Sequence, residues 1–153
     1  MKNNIEVSNF IDEKMILDIN KTSKEQALDM LIEAMSNSEK IKDIHQFRQA
    51  IFTRENLMST GIGYGIAIPH ARLKNIQDFV IGILRCKEGI SYESIDDKPV
   101  KLIFMIGASE SQDKDYIRLL SKIMIRLKDK ELFEQILKVQ NTSDIYKLII
   151  ETK

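Results

Sequence analysis

The chain has a single cysteine, Cys86, two prolines and two histidines among 153 residues. One thiol can neither close an internal disulfide nor build a thiolate metal cage, and within an apolar stretch it reads as a small buried hydrophobe. His45 and His70 are too few to assemble an HExxH motif or a Cys/His cluster, so no metal site is expected. No charge of one sign predominates, because 23 lysines and arginines face 23 aspartates and glutamates. Nucleic-acid and polybasic membrane surfaces need a concentrated positive field, which this balance argues against. Long hydrophobic runs are missing as well. The apolar segments at 80–84 and 102–106 fall far short of the roughly 20 residues needed to cross a bilayer. Lys2, Asn3, Asn4 and Glu6 do not compose a signal peptide, so a cytoplasmic chain without direct membrane insertion is expected.

What is present suffices for one globular domain over 1–153, since 43% hydrophobic residues can build a core and 30% charged residues can cover it. No repeat, low-complexity block or Pro/Gly/Ser-rich linker divides the chain. A first helix is predicted over 23–37, with Thr22 and Glu25 at capping-box spacing and Ala27, Leu28, Leu31, Ile32 and Met35 on one face. A second follows Asp43, carries Ile44, Phe47, Ile51 and Phe52, and reaches Arg54 and Glu55 near its end. A third, over 113–128, carries Tyr116, Ile117, Leu120, Ile123, Met124 and Leu127 on one side, and two shorter helices are predicted over 131–139 and 143–150. Segments 79–86 and 100–106 are nearly continuous apolar runs bounded by turn residues, the pattern of buried strands, and 15–19 and 66–68 are weaker candidates. Both faces of such strands must be shielded, so the expected class is α/β, a single-domain sandwich with a central mixed sheet flanked by helices.

Half of the six glycines fall within five residues in Ser59-Thr60-Gly61-Ile62-Gly63-Tyr64-Gly65-Ile66-Ala67-Ile68-Pro69-His70. The segment is neither a Walker A loop, which needs Lys-Ser/Thr after its last glycine, nor GxGxxG, because Ile66 stands where the third glycine would be. Two readings remain: a hairpin or tight turn, or a concavity of backbone amides that holds an anion. His70 follows a proline and is presented by a stiff segment. With an unperturbed pKa of about 6.5, it is either a neutral nucleophile able to accept a phosphoryl group or a structural imidazole bonded to backbone. Arg54 is either a bidentate clamp for a phosphoryl group or the partner of Glu55 or another carboxylate. There is no GxSxG elbow, and Cys86 lies inside an apolar strand, so acyl transfer ranks low.

Arg54-Glu55, then Ser59-Thr60-Gly61-Ile62-Gly63, then Gly65-Ile66-Ala67-Ile68-Pro69-His70, together with Lys24-Glu25-Gln26-Ala27-Leu28 and Leu119-Leu120-Ser121, are a specific combination. It resembles the fructose/mannitol-type enzyme IIA domains of the bacterial phosphoenolpyruvate-dependent sugar phosphotransferase system, including the nitrogen-regulatory IIA relatives, over nearly the whole chain. The resemblance implies that His70 takes a phosphoryl group from phosphohistidine on HPr and passes it to an EIIB domain or protein that works with membrane EIIC. No cofactor, ATP or metal is implied. Arg54 would neutralise phosphoryl oxygens, and Ser59, Thr60, Gly61 and Gly63 would form a phosphate-cradling loop. Many relatives carry a second histidine where this chain has Tyr116, so Tyr116 is either a hydrogen-bond donor to a phosphoryl oxygen or a core residue. No IIB cysteine loop or IIC segment is recognisable, so partners would be separate chains docking near Ile62, Tyr64 and Ala71. The alternative is a regulatory module whose phosphorylation state controls a non-transport partner.

Overall fold

A computed structural model describes residues 6–151, which leaves Lys2, Asn3 and Asn4 outside the described residues. After a short 3₁₀ turn at Val7–Phe10 come β1 (Ile11–Asp18), α1 (Lys24–Met35), α2 (Ile44–Leu57), β2 (Gly61–Gly63), β3 (Ile66–Ala67) and β4 (His70–Leu73). Two long strands, β5 (Val80–Ile90) and β6 (Val100–Ser109), precede α3 (Asp113–Leu127), α4 (Lys130–Lys138) and α5 (Thr142–Glu151). The expected α/β sandwich is the observed one. The strands form one mixed sheet in the order β1-β5-β6-β3-β2, with β4 also pairing β6. β5 and β6 are antiparallel, whereas β1 runs parallel to β5 and both β3 and β4 run parallel to β6.

Strand period explains why β5 and β6 read as unbroken apolar runs. Successive side chains point to opposite faces, and here each face has a cover. Leu102, Phe104, Ile106 and Ala108 pack with Tyr116, Leu119, Ile123 and Leu127 of α3 and with residues of α4 and α5. Ile103 and Met105 pack on the other face with α1 and with Phe47 and Ile51 of α2. Each cluster stabilises the sheet through burial, at about 25 cal/mol per Å² of apolar surface.

Several boundaries move for identifiable reasons. The α1 cap is one residue later than the expected Thr22–Glu25 pair: Ser23 accepts from the Gln26 amide, and the Gln26 side chain answers the Ser23 amide. The helix stops at Met35 instead of residue 37. β1 begins at Ile11, before the expected 15–19, because an edge strand tolerates the exposed Asp12, Glu13 and Lys14. On α3 the inward face is Tyr116, Leu119, Ile123 and Leu127, whereas Ile117, expected on that face, is exposed.

The least foreseeable feature is Arg85, fully buried inside β5. Its Nε and Nη2 donate to the two carboxylate oxygens of Asp18 on β1, at 2.9 and 2.5 Å, and its Nη1 donates to the Ile136 carbonyl of α4 at 2.9 Å. It also donates to the Val139 carbonyl, so one guanidinium closes the end of α4 and ties it to two strands. The hydrogen bond from Arg85 holds the Asp18 carboxyl below the usual carboxylate range. Stability from this pair is therefore complete above about pH 4, the unfolded value, and is lost as pH falls through the lower native value. Asp18→Asn should cost about 3 kcal/mol at pH 7 in urea denaturation, because it strands a buried cation. The gap from the unsubstituted chain should close toward pH 3 and below.

Candidate active site

Residues 66–73 run along one side of β6 but are interrupted between β3 and β4 at Ile68 and Pro69. Proline has no N–H to offer the ladder, although its carbonyl accepts from the Ile106 amide at 2.9 Å. His70 begins β4 opposite Ile106, and Arg72 lies opposite Ala108, both partners belonging to the sheet face under α3. Ala71, one residue out of phase, turns to the other face and is buried there, so the expectation that it borders His70 as docking surface is corrected.

The His70 ring is partly exposed, with Nδ1 2.8 Å from the Ile68 carbonyl oxygen. A carbonyl only accepts, so Nδ1 carries the proton and the neutral ring keeps its lone pair on Nε2. Burial pushes the His70 pKa below its ordinary value; the Ile68 hydrogen bond opposes this, and the Arg54 charge adds to it. Burial and the Arg54 charge both favour the neutral ring, in one tautomer, with the Nε2 lone pair unengaged among the described residues.

The next layer is the carboxylate of Glu55, buried at the end of α2. It accepts from the Thr60 amide at 2.8 Å, the Thr60 hydroxyl at 2.6 Å and the Tyr92 hydroxyl at 3.3 Å, and pairs with the Lys24 ammonium of α1 at 2.9 Å. Burial and this carboxylate both hold the Tyr92 proton more tightly. The glycine-rich segment is the hairpin of the two readings. β2 and β3 are antiparallel, and Gly63, Tyr64 and Gly65 turn between them with φ of 94°, 60° and 79°. The hairpin packs against the β5–β6 connection so closely that a Cβ on Gly61 would lie 2.8 Å from the Ser94 hydroxyl. The Gly61 amide donates to the Ser59 hydroxyl at 3.1 Å and the Gly63 amide to the Ser94 hydroxyl at 3.2 Å. With Thr60 bound to Glu55, three of the amides counted toward an anion cradle have internal partners.

Arg54 makes no ion pair among the described residues, and Lys24 takes the carboxylate that sequence offered it. Its Nη1 donates to the Met58 carbonyl at 2.7 Å, at the C-terminal end of its own helix. It opens instead onto a cleft of about 490 Å³ that His70 also lines, between the Ser59–Ile62 stretch on one side and Leu120 and Met124 of α3 on the other. Met58 and Ile95, 71% and 82% exposed, stand at its mouth with Glu93. Tyr64 is exposed and Ile62 lines the cleft. Tyr116 is a core residue at 8% exposure, and its ring centroid stands 6.0 Å from that of His70. No group of three or more His, Cys, Asp or Glu that could hold a metal stands together among the described residues.

The sequence reading missed Glu93, Ile95, Tyr92 and Arg72. Arg72 had a signal, since a residue two beyond His70 shares its side of any strand. The others come from a turn-rich connection whose position over the hairpin is a tertiary fact.

The fold that carries this site is a known one. IIA-Ntr from Neisseria meningitidis superposes with a TM-score of 0.85 at 24% identity, covering 94% of this chain and 98% of that one. The IIA component in the solved complex of enzyme IIAMTL and phosphorylated enzyme IIBMTL from Escherichia coli matches with a TM-score of 0.77 at 18% identity, covering 93% of this chain and 99% of that one. The fold is that of phosphotransferase-system IIA proteins. Residues 9–152 match the family described as phosphoenolpyruvate-dependent sugar phosphotransferase system, EIIA 2, and the chain belongs to that family. The PTS system fructose-specific EIIABC component of Bacillus subtilis (strain 168) is 35% identical over 133 residues, 87% of this chain and 21% of that protein, so this chain spans about a fifth of that relative. The nitrogen regulatory protein of Escherichia coli (strain K12) is 33% identical over 132 residues, 86% of this chain and 80% of that protein. No helix of the described residues is long and apolar enough to cross a membrane.

Two outcomes follow from this geometry. Glu55→Ala leaves a buried amide and two buried hydroxyls, and the half-buried Lys24 ammonium, without their acceptor, and should lower stability by about 3 kcal/mol in chemical denaturation. NMR titration of His70 should give a midpoint below about 6.5, with the neutral ring protonated on Nδ1; a midpoint above 7 would contradict the burial argument.

Proposed function

We propose that the chain is a cytoplasmic phosphocarrier, a single A domain that accepts a phosphoryl group from phospho-HPr on Nε2 of His70. It passes that group to an EIIB partner, which works with membrane EIIC in sugar uptake. The observation that carries this reading is the Nδ1 contact to the Ile68 carbonyl, which leaves Nε2 as the nucleophile of a cleft shared with Arg54. In the onward step a cysteine or histidine of EIIB forms the new bond to phosphorus as the His70 P–N bond breaks and the electron pair returns to Nε2. In the accepting step the Nε2 lone pair forms a new P–N bond as the donor's P–N bond breaks, and the donor imidazole leaves with the electron pair. One phosphoramidate replaces another, so the protein's contribution is alignment and neutralisation of three equatorial oxygens.

Arg54 supplies the positive charge, after exchanging the Met58 carbonyl for phosphoryl oxygens. Ser59, Thr60, Gly61 and Gly63 act first as a rigid wall of the cleft, because Glu55, Ser59 and Ser94 already hold three of their amides. Any amide donated to phosphate would have to leave such a partner. Tyr116 offers a hydroxyl in place of a second imidazole and brings no charge at neutral pH. Exposed Met58 and Ile95 around the cleft, with Ile62 inside it, provide an apolar contact for carrier proteins.

A regulatory module is the second reading. It is favoured by the similarity to a nitrogen regulatory protein across most of both chains, and by Tyr116, because a switch tolerates slower turnover than a relay. Equal binding of a partner protein by His70→Ala and His70→Asp would argue against it.

Incubation with phosphoenolpyruvate, enzyme I and HPr should add one acid-labile phosphate, read by mass spectrometry under non-acidic conditions. His70→Ala should abolish the label, and full labelling of that variant would overturn the assignment. Arg54→Ala should slow labelling by about 10²-fold, the usual loss for one transition-state charge partner.

A further inference from the structure

Two polar groups near His70 are shut off from water and have no hydrogen-bond partner among the described residues: the Tyr116 hydroxyl and Nε of Arg72. They belong to one assembly. The Arg72 guanidinium lies 4.9 Å from the centroid of the Tyr116 ring, and that ring stands 6.0 Å from the His70 ring at an interplanar angle of 54°. The β4 register puts His70 and Arg72 on the same face of the sheet, opposite Ile106 and Ala108, and α3 brings Tyr116 over them.

Arg72 is itself held. Its Nη2 donates to the Glu110 carbonyl at 3.0 Å and to the Asp113 carboxylate in the first turn of α3. The guanidinium is therefore fixed over the phenol by contacts at the start of the helix that carries Tyr116. A cation over a tyrosine face is attracted by the ring quadrupole, and this attraction strengthens where water is excluded. Burial makes the Tyr116 hydroxyl hold its proton more tightly, while the charges of Arg72 and Arg54 oppose that effect, so both cations act on this hydroxyl. A buried hydroxyl without a partner is unfavourable in the resting protein and becomes favourable once an acceptor reaches it.

The geometry points to Arg72 as a positioning residue for phosphoryl transfer: stacked on Tyr116 and anchored to Asp113 and Glu110, it holds the phenol so that its hydroxyl donates to an oxygen of the group on His70. This inference rests on the reading of His70 as acceptor. The hydroxyl keeps its proton throughout and contributes one hydrogen bond, while the P–N bonds form and break as described above. Arg72 acts through Tyr116 and not as a second clamp, since Asp113 balances its charge.

The test is the initial rate of His70 labelling against phospho-HPr concentration, for the unsubstituted chain, Tyr116→Phe, Arg72→Gln, Arg72→Lys and the double variant Tyr116→Phe/Arg72→Gln. Tyr116→Phe removes only an unpartnered oxygen, so kcat should fall about tenfold with KM unchanged, while the melting temperature holds or rises. Arg72→Gln should lower kcat to a similar extent, and Arg72→Lys should recover part of it because an ammonium also sits over the ring. The double variant should be no slower than the worse single one, as for two residues on one path. If the unsubstituted chain takes no label, the acceptor reading itself fails. If it labels and Tyr116→Phe keeps full kcat, or the two single effects multiply, the role of Arg72 and Tyr116 is overturned while His70 stands.

Discussion

The structure around the cleft depends on where one carboxylate has been placed. Glu55 is buried at the end of α2 and takes four donors from three other parts of the chain: Lys24 of α1, Thr60 of the hairpin and Tyr92 of the β5–β6 connection. A buried carboxylate is tolerated only when its lone pairs are filled, so these parts are constrained to meet there. Arg54 is the preceding residue and points elsewhere, into the cleft. The Arg-Glu dipeptide thus divides its work: one side chain fixes the frame, and the other lines the cleft.

His70 is positioned by a different constraint, the failure of a strand. Pro69 breaks the ladder between β3 and β4, and at that break the Ile68 carbonyl receives the imidazole N–H. Tautomer, orientation and low basicity then come together, because the contact that orients the ring also fixes which nitrogen keeps the lone pair. The proposed transfer works by alignment, which requires parts that do not move, and these parts hang from the sheet on one side and the Glu55 network on the other.

Legibility followed the range of the interaction. The five helices could be read because amphipathic periodicity is local, and β5 and β6 because continuous apolar character requires two covers. β2 and β4 could not, since three glycine-interrupted residues and a His-Ala-Arg-Leu segment have no strand period of their own and owe their pairing to β3 and β6. Arg85 shows the same limit. Its charge inside an apolar run says nothing of Asp18 or of the α4 carbonyls that make its burial possible.

The sequence by itself determined the class of fold, through periodicity along the chain, and the family, through the resemblance of its motifs to known domains, and it offered His70 and Arg54 as a candidate pair. Only the tertiary structure decided that Glu55 goes to Lys24 instead of Arg54, that the glycine hairpin's amides are engaged, that Ala71 turns away from the cleft, and that Arg72 covers Tyr116. The physical reason is common to all four. Each is a choice among partners of similar chemistry, and only the sheet register and the packing of helices over it bring one partner within bonding distance.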